Sequence, residues 1–408
     1  MVLIIVVLSY LTIVFGDYVL IRTDKGIIRG RKESSQSFVF EGVPYADPPY
    51  RFQPPKLRSA WTGVKNSTII PPACSQIGDK HSSEDCLYLS IYTPKLGAKS
   101  NYPVWVWIHG GDFSKGSISV EGNPKKISQT GIVIVLIQYR LGPFGFGTFE
   151  SEDTINIGFL DQALALKWIQ RNIKRFGGNP ERIILGGSGA GGYSAARLTL
   201  NGDYSGLIIS SSGIAETPLV STEKKTAIDN MKELGERLSC PTRQDLKSCL
   251  SSKSVDEILG SDLSFIPVKD SLRASKDHFT KISLEMTKDQ SLSNEDTLNT
   301  FMTSAWSHFI KYGDPTIDLS QNSLIGWPKY KEPTNYKMIL NQDMLKIVSD
   351  ESKKSCTFWN ELIPELLQNS LESCPNALLK EDTKPRSLIS YRKGMNENLN
   401  NLTDEKVF

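Results

Sequence analysis

The chain has 408 residues, with 47 Lys and Arg against 45 Asp and Glu, a formal charge of +2. That near-balance argues against nucleic acid or an anionic membrane surface as the main partner, since both demand a basic patch. A 39% hydrophobic, 23% charged composition with 7 Trp and 14 Tyr is that of a globular chain and excludes wholesale disorder.

The first sixteen residues form an apolar run without a charged side chain, followed at once by Asp17. The run falls short of the roughly 18 residues that span a bilayer, and Val14 and Gly16 suit the −3 and −1 positions of a cleavage site. Residues 1–16 therefore read as a secretory signal peptide. No second run of comparable apolarity follows, so the mature chain carries no membrane span and is expected to be extracellular.

Six cysteines in an exported chain suggest disulfides, although composition alone allows 15 pairings. Cys74 lies close to Cys86 and Cys240 close to Cys249; closing loops of that size contributes about 3 kcal/mol each in the chain-entropy view. Cys356 and Cys374 are left over. Asn66-Ser67-Thr68 and Asn401-Leu402-Thr403 are glycosylation sequons.

Val104–Ile108 and Ile132–Ile137 are short runs rich in Val and Ile, the pattern of strands buried on both faces. Leu160, Ala163, Leu164 and Trp168 recur at helical spacing, and Gly177-Gly178 stops that segment. Ile183–Leu185 is another short strand and ends in a glycine cluster. Leu298, Phe301, Ala305, Phe309 and Tyr312 mark a later helix, closed by Gly313 and Pro315. Strands alternating with helices predict an α/β fold with a mostly parallel sheet. Beyond Leu366 the composition turns polar, and residues 367–408 read as a loosely ordered tail.

FEGVPYADPPYRFQPPKL (Phe40–Leu57), SSEDCLYLSIYTP (Ser82–Pro94) and PVWVWIHGGDF (Pro103–Phe113) resemble, in that order, the two N-terminal signatures and the oxyanion-hole strand and loop of the type-B carboxylesterase/cholinesterase family of α/β-hydrolases. QYRLGPFGF (Gln138–Phe146) and the stretch Asn156–Ile183 continue the likeness, while Met302–Pro315 and Cys356–Leu366 resemble its C-terminal helices. The resemblance covers most of residues 20–366, and so implies an α/β-hydrolase domain over 17–366. It supports the pairs Cys74–Cys86 and Cys240–Cys249, leaving Cys356 to pair with Cys374 or stay free, and implies neither cofactor nor metal.

An esterase of this type needs a Ser on a sharp strand-to-helix turn, G-x-S-x-G. Here the turn reads Leu185-Gly-Gly-Ser-Gly-Ala-Gly-Gly192. Counting from Asn179-Pro180, the family's nucleophile falls at position 189, which is Gly, with Gly187 and Gly191 as the flanking glycines. The rival register makes Ser188 the nucleophile, flanked by Gly186 and Ala190, and requires a one-residue slip. Gly-Ser-Gly-Ala-Gly also resembles the turn of neuroligins, non-catalytic adhesion members of the family. Loss of a nucleophile can cost about 10⁶ in kcat, so the favoured register implies an inactive turn.

The base of such a triad must be His to take the Ser proton near neutral pH. The chain has four histidines: His81, His109, His278 and His308. None lies in a motif resembling the family's base. Only 34 positions separate Val268 from Met302; the family's corresponding interval is several times longer and carries the acid, the His and two sheet strands. The domain thus reads as shortened between about 268 and 302, with the sheet ending at Leu207–Ser211.

In the oxyanion-hole-like loop, Gly110-Gly111-Asp112 replaces three glycines, with the Ala190 amide completing the site. An Asp112 carboxylate facing a developing oxyanion at about 4 Å would oppose it by roughly 4 kcal/mol at an effective dielectric of 20; a solvent-facing one would not. The first expectation is a secreted, catalytically inactive esterase-like protein that binds an extracellular protein or a small apolar ligand, as an adhesion or carrier module. The alternative is a carboxylic-ester hydrolase that uses Ser188 with another base.

Overall fold

The computed structural model describes residues 12–120, 122–150, 155–200, 202, 204–210, 222–240, 246–260, 263, 265–268, 282–284, 295–315, 317–320, 323–325, 336–340 and 345–349. The chain divides into two compact units, residues 1–332 with 336–348, and residues 333–335 with 349–408; apart from Ser349 the second lies outside the described residues. So do the polar tail, the Cys356–Leu366 segment and Asn401.

The first unit is built on an 11-stranded sheet among the described residues. Its strands are β1 (Thr12–Phe15), β2 (Tyr18–Arg22), β3 (Ile27–Ser34), β4 (Ser37–Pro44), β5 (Val64–Asn66), β6 (Tyr88–Thr93), β7 (Tyr102–Ile108), β8 (Val133–Ile137), β9 (Gly178–Ser188), β10 (Gly206–Ser210) and β11 (Ile282–Leu284). The order is β1-β2-β3-β4-β6-β8-β7-β9-β10-β11, with β5 beside β3. From β8 to β11 every pairing is parallel; along the path from β1 to β8 the strands run antiparallel, while β5, off that path, lies parallel to β3. The parallel arrangement read from strand–helix alternation belongs to the half that starts at β7. Strands β1 to β4, joined by short links, form an antiparallel meander, as short connections demand, and β6 and β8 extend the antiparallel pairing across longer connections.

The helices are α1 (Pro124–Ser128), α2 (Gly142–Phe146), α3 (Ile157–Asn172), α4 (Ala190–Leu200), α5 (Lys224–Arg237), α6 (Leu246–Ser252), α7 (Val255–Leu259) and α8 (Glu295–Tyr312). Two further hairpins, Ile317–Ser320 with Ser323–Ile325 and Tyr336–Leu340 with Leu345–Ser349, stand apart from the sheet.

Strand β7 shows why the sheet is covered on both faces. Val104, Val106 and Ile108 point to one side, into a core shared with Trp168 and Ile169 of α3, Phe40 and Phe176. Trp105, between them, points to the other, where Ala305, Phe309 and Ile310 of α8 and the partly buried Trp107 and Trp306 gather. The period of two in the side chains thus produces two apolar layers from one strand. Complete burial contributes about 1.5–3 kcal/mol per large apolar side chain.

One expectation changes. The sheet does not end at β10: Ile282–Leu284 adds β11, parallel to it, with Ile208 opposite Ile282. This strand falls inside the interval read as stripped of strands, and three residues were too few for periodicity to reveal. Thr12–Phe15, the end of the segment read as a leader, forms the edge strand β1 on β2. Both short-range disulfides are present, Cys74–Cys86 and Cys240–Cys249. No described helix is long and apolar enough to cross a membrane.

Candidate functional site

The candidate site forms where β7 and β9 end side by side, Ile108 being paired with Gly187. Beyond β7 the chain enters the loop His109–Gly116; beyond β9 it turns directly into α4. Gly189 is the single residue between Ser188, the last of β9, and Ala190, the first of α4. Its φ is +52°, in the left-handed region. Most L-residues avoid that region, whereas glycine enters it freely.

The glycines around this turn have different reasons. A Cβ on Gly187 would run into the backbone of Gly191, and one on Gly191 would overlap the carbonyl oxygen of Ile108. These two permit the close approach of β9, α4 and β7. A Cβ on Gly189 would meet nothing within 4 Å. Position 189 is therefore an apex facing open space, held by tightly packed glycines on either side. Ser188 is half-buried and lies opposite Ser210 of β10.

On the loop, Gly110 packs against this turn: a Cβ there would lie 2.5 Å from the Ser188 carbonyl oxygen. Gly111 has φ +111°, and Asp112 and Phe113 follow at +55° and +59°. The Asp112 side chain is exposed, whereas Phe113 is buried against Phe146, Phe159 and Tyr193. Solvent exposure favours the reading in which the Asp112 carboxylate is hydrated. The Gly111 and Asp112 amides donate no backbone hydrogen bond among the described residues, and the Ala190 amide belongs to the first turn of α4, where no intrahelical acceptor exists. The loop and the helix start thus offer unsatisfied donors of the kind that receive a carbonyl or carboxylate oxygen.

His109 supports the loop from beneath. It is buried, stacked on Tyr139 with centroids 4.5 Å apart, and its Nδ1–H donates to the Gly110 carbonyl at 2.9 Å. The Tyr139 hydroxyl donates to the His109 carbonyl at 3.0 Å. Burial lowers the imidazole pKa to about 4, so the ring is neutral near pH 7. With Nδ1 carrying the proton, Nε2 is an acceptor, buried and without a partner among the described residues. Sequence reasoning missed a second support. The Gln76 amide, inside the first disulfide loop, accepts from the Gly116 N–H at 2.9 Å and donates to the Gly116 carbonyl at 3.0 Å. A single polar residue inside a disulfide loop carries no periodic signal that could have revealed this clamp.

The other histidines lie elsewhere. His308, on α8, has Nδ1 2.6 Å from the Asp314 carbonyl, and His81 is exposed in the first disulfide loop. Neither they nor His109 hydrogen-bonds Ser188 among the described residues. His278, Cys356 and Cys374 lie outside them. No group of His, Cys, Asp and Glu suited to a metal ion occurs among the described residues.

The sequence profile of the Carboxylesterase family matches residues 17–283, well over half of the chain. The chain belongs to the carboxylesterase family. Its fold is accordingly that of the α/β-hydrolases. It is 37% identical to Carboxylesterase 1D of Rattus norvegicus over 273 residues, which cover 60% of this chain and 48% of that protein. It is also 37% identical to Cocaine esterase of Homo sapiens over 256 residues, 57% of this chain and 45% of that protein. Esterase-5A of Drosophila pseudoobscura pseudoobscura matches at 37% over 268 residues, 61% and 48% of the two chains. The chain spans about half the length of the curated relatives it matches.

Proposed function

We propose that this carboxylesterase-family chain is a secreted protein without hydrolytic activity that acts by binding, as an adhesion or carrier module for an extracellular protein or a small apolar ligand. The observation that carries the reading is Gly189: a residue with φ +52° between strand and helix, beside open space, with no side chain to attack a carbonyl. In this reading Gly189 stands at the family's nucleophile position, and Gly110, Gly111, Asp112 and Ala190 form what is left of its oxyanion hole. The shortened interval between 268 and 302, without a recognisable acid or base, points the same way. Residues 1–16 act as a signal peptide whose removal takes β1 with it and leaves β2 as the sheet edge, residues 17–366 form the hydrolase-like domain, and 367–408 a polar tail. The two disulfides fit an oxidising compartment.

The competing reading, ester hydrolysis by Ser188, draws on the names of the relatives and on the half-buried serine beside the apex. A serine-directed fluorophosphonate probe separates the two. The inactive reading expects no covalent labelling of the purified chain. Stoichiometric labelling that disappears in Ser188→Ala, together with turnover of a simple acetate ester above a heat-killed control, would overturn it.

A further inference from the structure

The glycines of this chain are not all required for the same reason. A Cβ on Gly187 or Gly191 would collide with backbone, but one on Gly206 would not. Gly206 opens β10 and pairs with Ile184 of β9. A Cβ there would lie 3.5 Å from Ile184 and from the Phe309 ring of α8, ordinary van der Waals separation, and its φ is not positive. Alternation along β10 puts positions 206 and 208 on the face toward α8, where Ile208 is buried with Ile184 and Phe309. At 206 that apolar layer lacks a side chain. A cavity of about 290 Å³ opens there, lined by β9, β10 and the end of α8. Its size is close to the lower end of the roughly 300–1,000 Å³ of small-molecule clefts.

The lining has an aromatic and a polar part. Phe309 is buried, Tyr204 half-buried and Tyr312 exposed, so rings border the space at different depths. The Tyr204 hydroxyl has no hydrogen-bond partner among the described residues, and burial raises its pKa, so it remains a neutral donor near pH 7. Arg182 supplies the charge. Its Nη2 donates to the Lys311 carbonyl at 2.6 Å, which fixes the guanidinium against the end of α8 and leaves its other donors unused among the described residues. The Lys311 ammonium extends elsewhere, to 3.7 Å from where a Gly131 Cβ would be. No Asp or Glu lines the cavity among the described residues. The carbonyl end of α8 opposes an anion by about half an elementary charge, which the full charge of Arg182 outweighs. A planar guanidinium with free N–H groups beside aromatic rings is complementary to a carboxylate on an aromatic body.

We propose that this cavity binds a small aromatic carboxylate, whose ring fills the space left at Gly206 and whose carboxylate is held by Arg182 and the Tyr204 hydroxyl. Because Arg182 is exposed and Phe309 buried, the carboxylate faces the mouth and the ring faces the sheet. Arg182 and Ile184 lie near the start of β9, whereas Gly189 follows its end. A rise of about 3.3 Å per residue separates the cavity from the elbow by roughly 15–20 Å. The site therefore goes beyond the binding role assigned to the elbow-bearing domain above, and it stands whether or not the elbow is catalytic.

The test is calorimetric titration of the purified full chain with phenylacetate, with phenylacetamide and phenethylamine as its neutral and cationic counterparts. Phenylacetate is expected to bind saturably at one site, and the other two about tenfold or more weaker, as loss of a charge-assisted hydrogen bond dictates. Gly206→Val, which fills the cavity from the strand, is expected to abolish binding while its ligand-free thermal midpoint stays at or above the parent's. Arg182→Gln is expected to weaken phenylacetate about tenfold or more with circular dichroism unchanged, and Lys311→Gln to leave the affinity as it was. Absence of saturable phenylacetate binding would overturn the site. Binding that survives Gly206→Val would put the anion elsewhere and overturn it equally. Equal binding of the three probes, or an Arg182→Gln protein that melts earlier but binds as before, would reduce Arg182 to a cap on α8 and refute the carboxylate. Should Gly206→Val fail to fold, the Arg182→Gln and Lys311→Gln pair decides by the same criteria.

Discussion

His109 carries a polar ring into a place where water cannot follow. Its Nδ1–H is matched to the Gly110 carbonyl and its face to Tyr139, but protonation of Nε2 would put a charge in a buried position without a partner among the described residues. The folded-state pKa near 4 expresses that cost, against about 6.5 in the unfolded chain. Between these values the unfolded chain binds more protons than the folded one. The stability due to neutral His109 is therefore complete above about pH 6.5 and is lost as pH falls toward 4, by up to about 3 kcal/mol. Urea midpoints measured from pH 7.5 down to 4.5 should fall more steeply for the parent than for His109→Phe, which keeps an aromatic face on Tyr139 and cannot titrate. Parallel curves would show that the ring is hydrated in solution. The sequence made His109 visible as the opening of a Gly-Gly loop but did not show its burial, which depends on Gly116 folding back over the ring under the hold of Gln76.

Helix α3 shows the same limit at the next scale. Its existence was legible from the spacing of Leu160, Ala163, Leu164 and Trp168, and its end from Gly177, whose φ of +86° closes the short turn after it. Its buried face was less legible. Leu160 is exposed, while Asp161 and Gln162 are buried with Ala165, Leu166, Trp168 and Ile169. Hydrophobic periodicity cannot anticipate a buried carboxylate, because the partner that makes it tolerable comes from another segment. Arg140 holds Asp161 in a fork, Nη2 to Oδ1 at 2.6 Å and Nε to Oδ2 at 2.8 Å, and also donates its N–H at 3.1 Å. The remaining Arg140 nitrogen donates to the Gln53 carbonyl at 2.7 Å, joining α3 to the loop before α2 and to the N-terminal segment. Asp161→Ala leaves the guanidinium buried and uncompensated, and should cost about 3–5 kcal/mol in urea unfolding, whereas an exposed pair such as Glu233–Arg237 should contribute under about 1 kcal/mol. A loss at Asp161 no larger than that of the surface pair would mean that the fork is solvated.

At the scale of the whole molecule, the family signatures run from β4 and β6 in the antiparallel half through β7 to the turn after β9, and each is local: a strand and its adjoining loop, or a strand, a glycine pair and a helix start adjacent in sequence. A catalytic triad is not local. It needs groups from distant segments to converge on one oxygen, and no described histidine hydrogen-bonds at the apex. His109 is occupied beneath the loop, His308 binds the end of α8, and His81 belongs to the disulfide loop. If the scaffold retains the elbow but lacks the convergence, supplying the missing oxygen alone should not restore chemistry. Gly189→Ser places a hydroxyl in the open space at the apex, at a stability cost of roughly 1–2 kcal/mol for a side chain at φ +52°. Without a base to take its proton, that serine should react with a fluorophosphonate no faster than the parent chain does, and acetate-ester hydrolysis should stay at the parental level. A folded Gly189→Ser protein that labels stoichiometrically would reveal a working base among the remaining residues and would make the substitution at 189 the only barrier between this chain and hydrolysis.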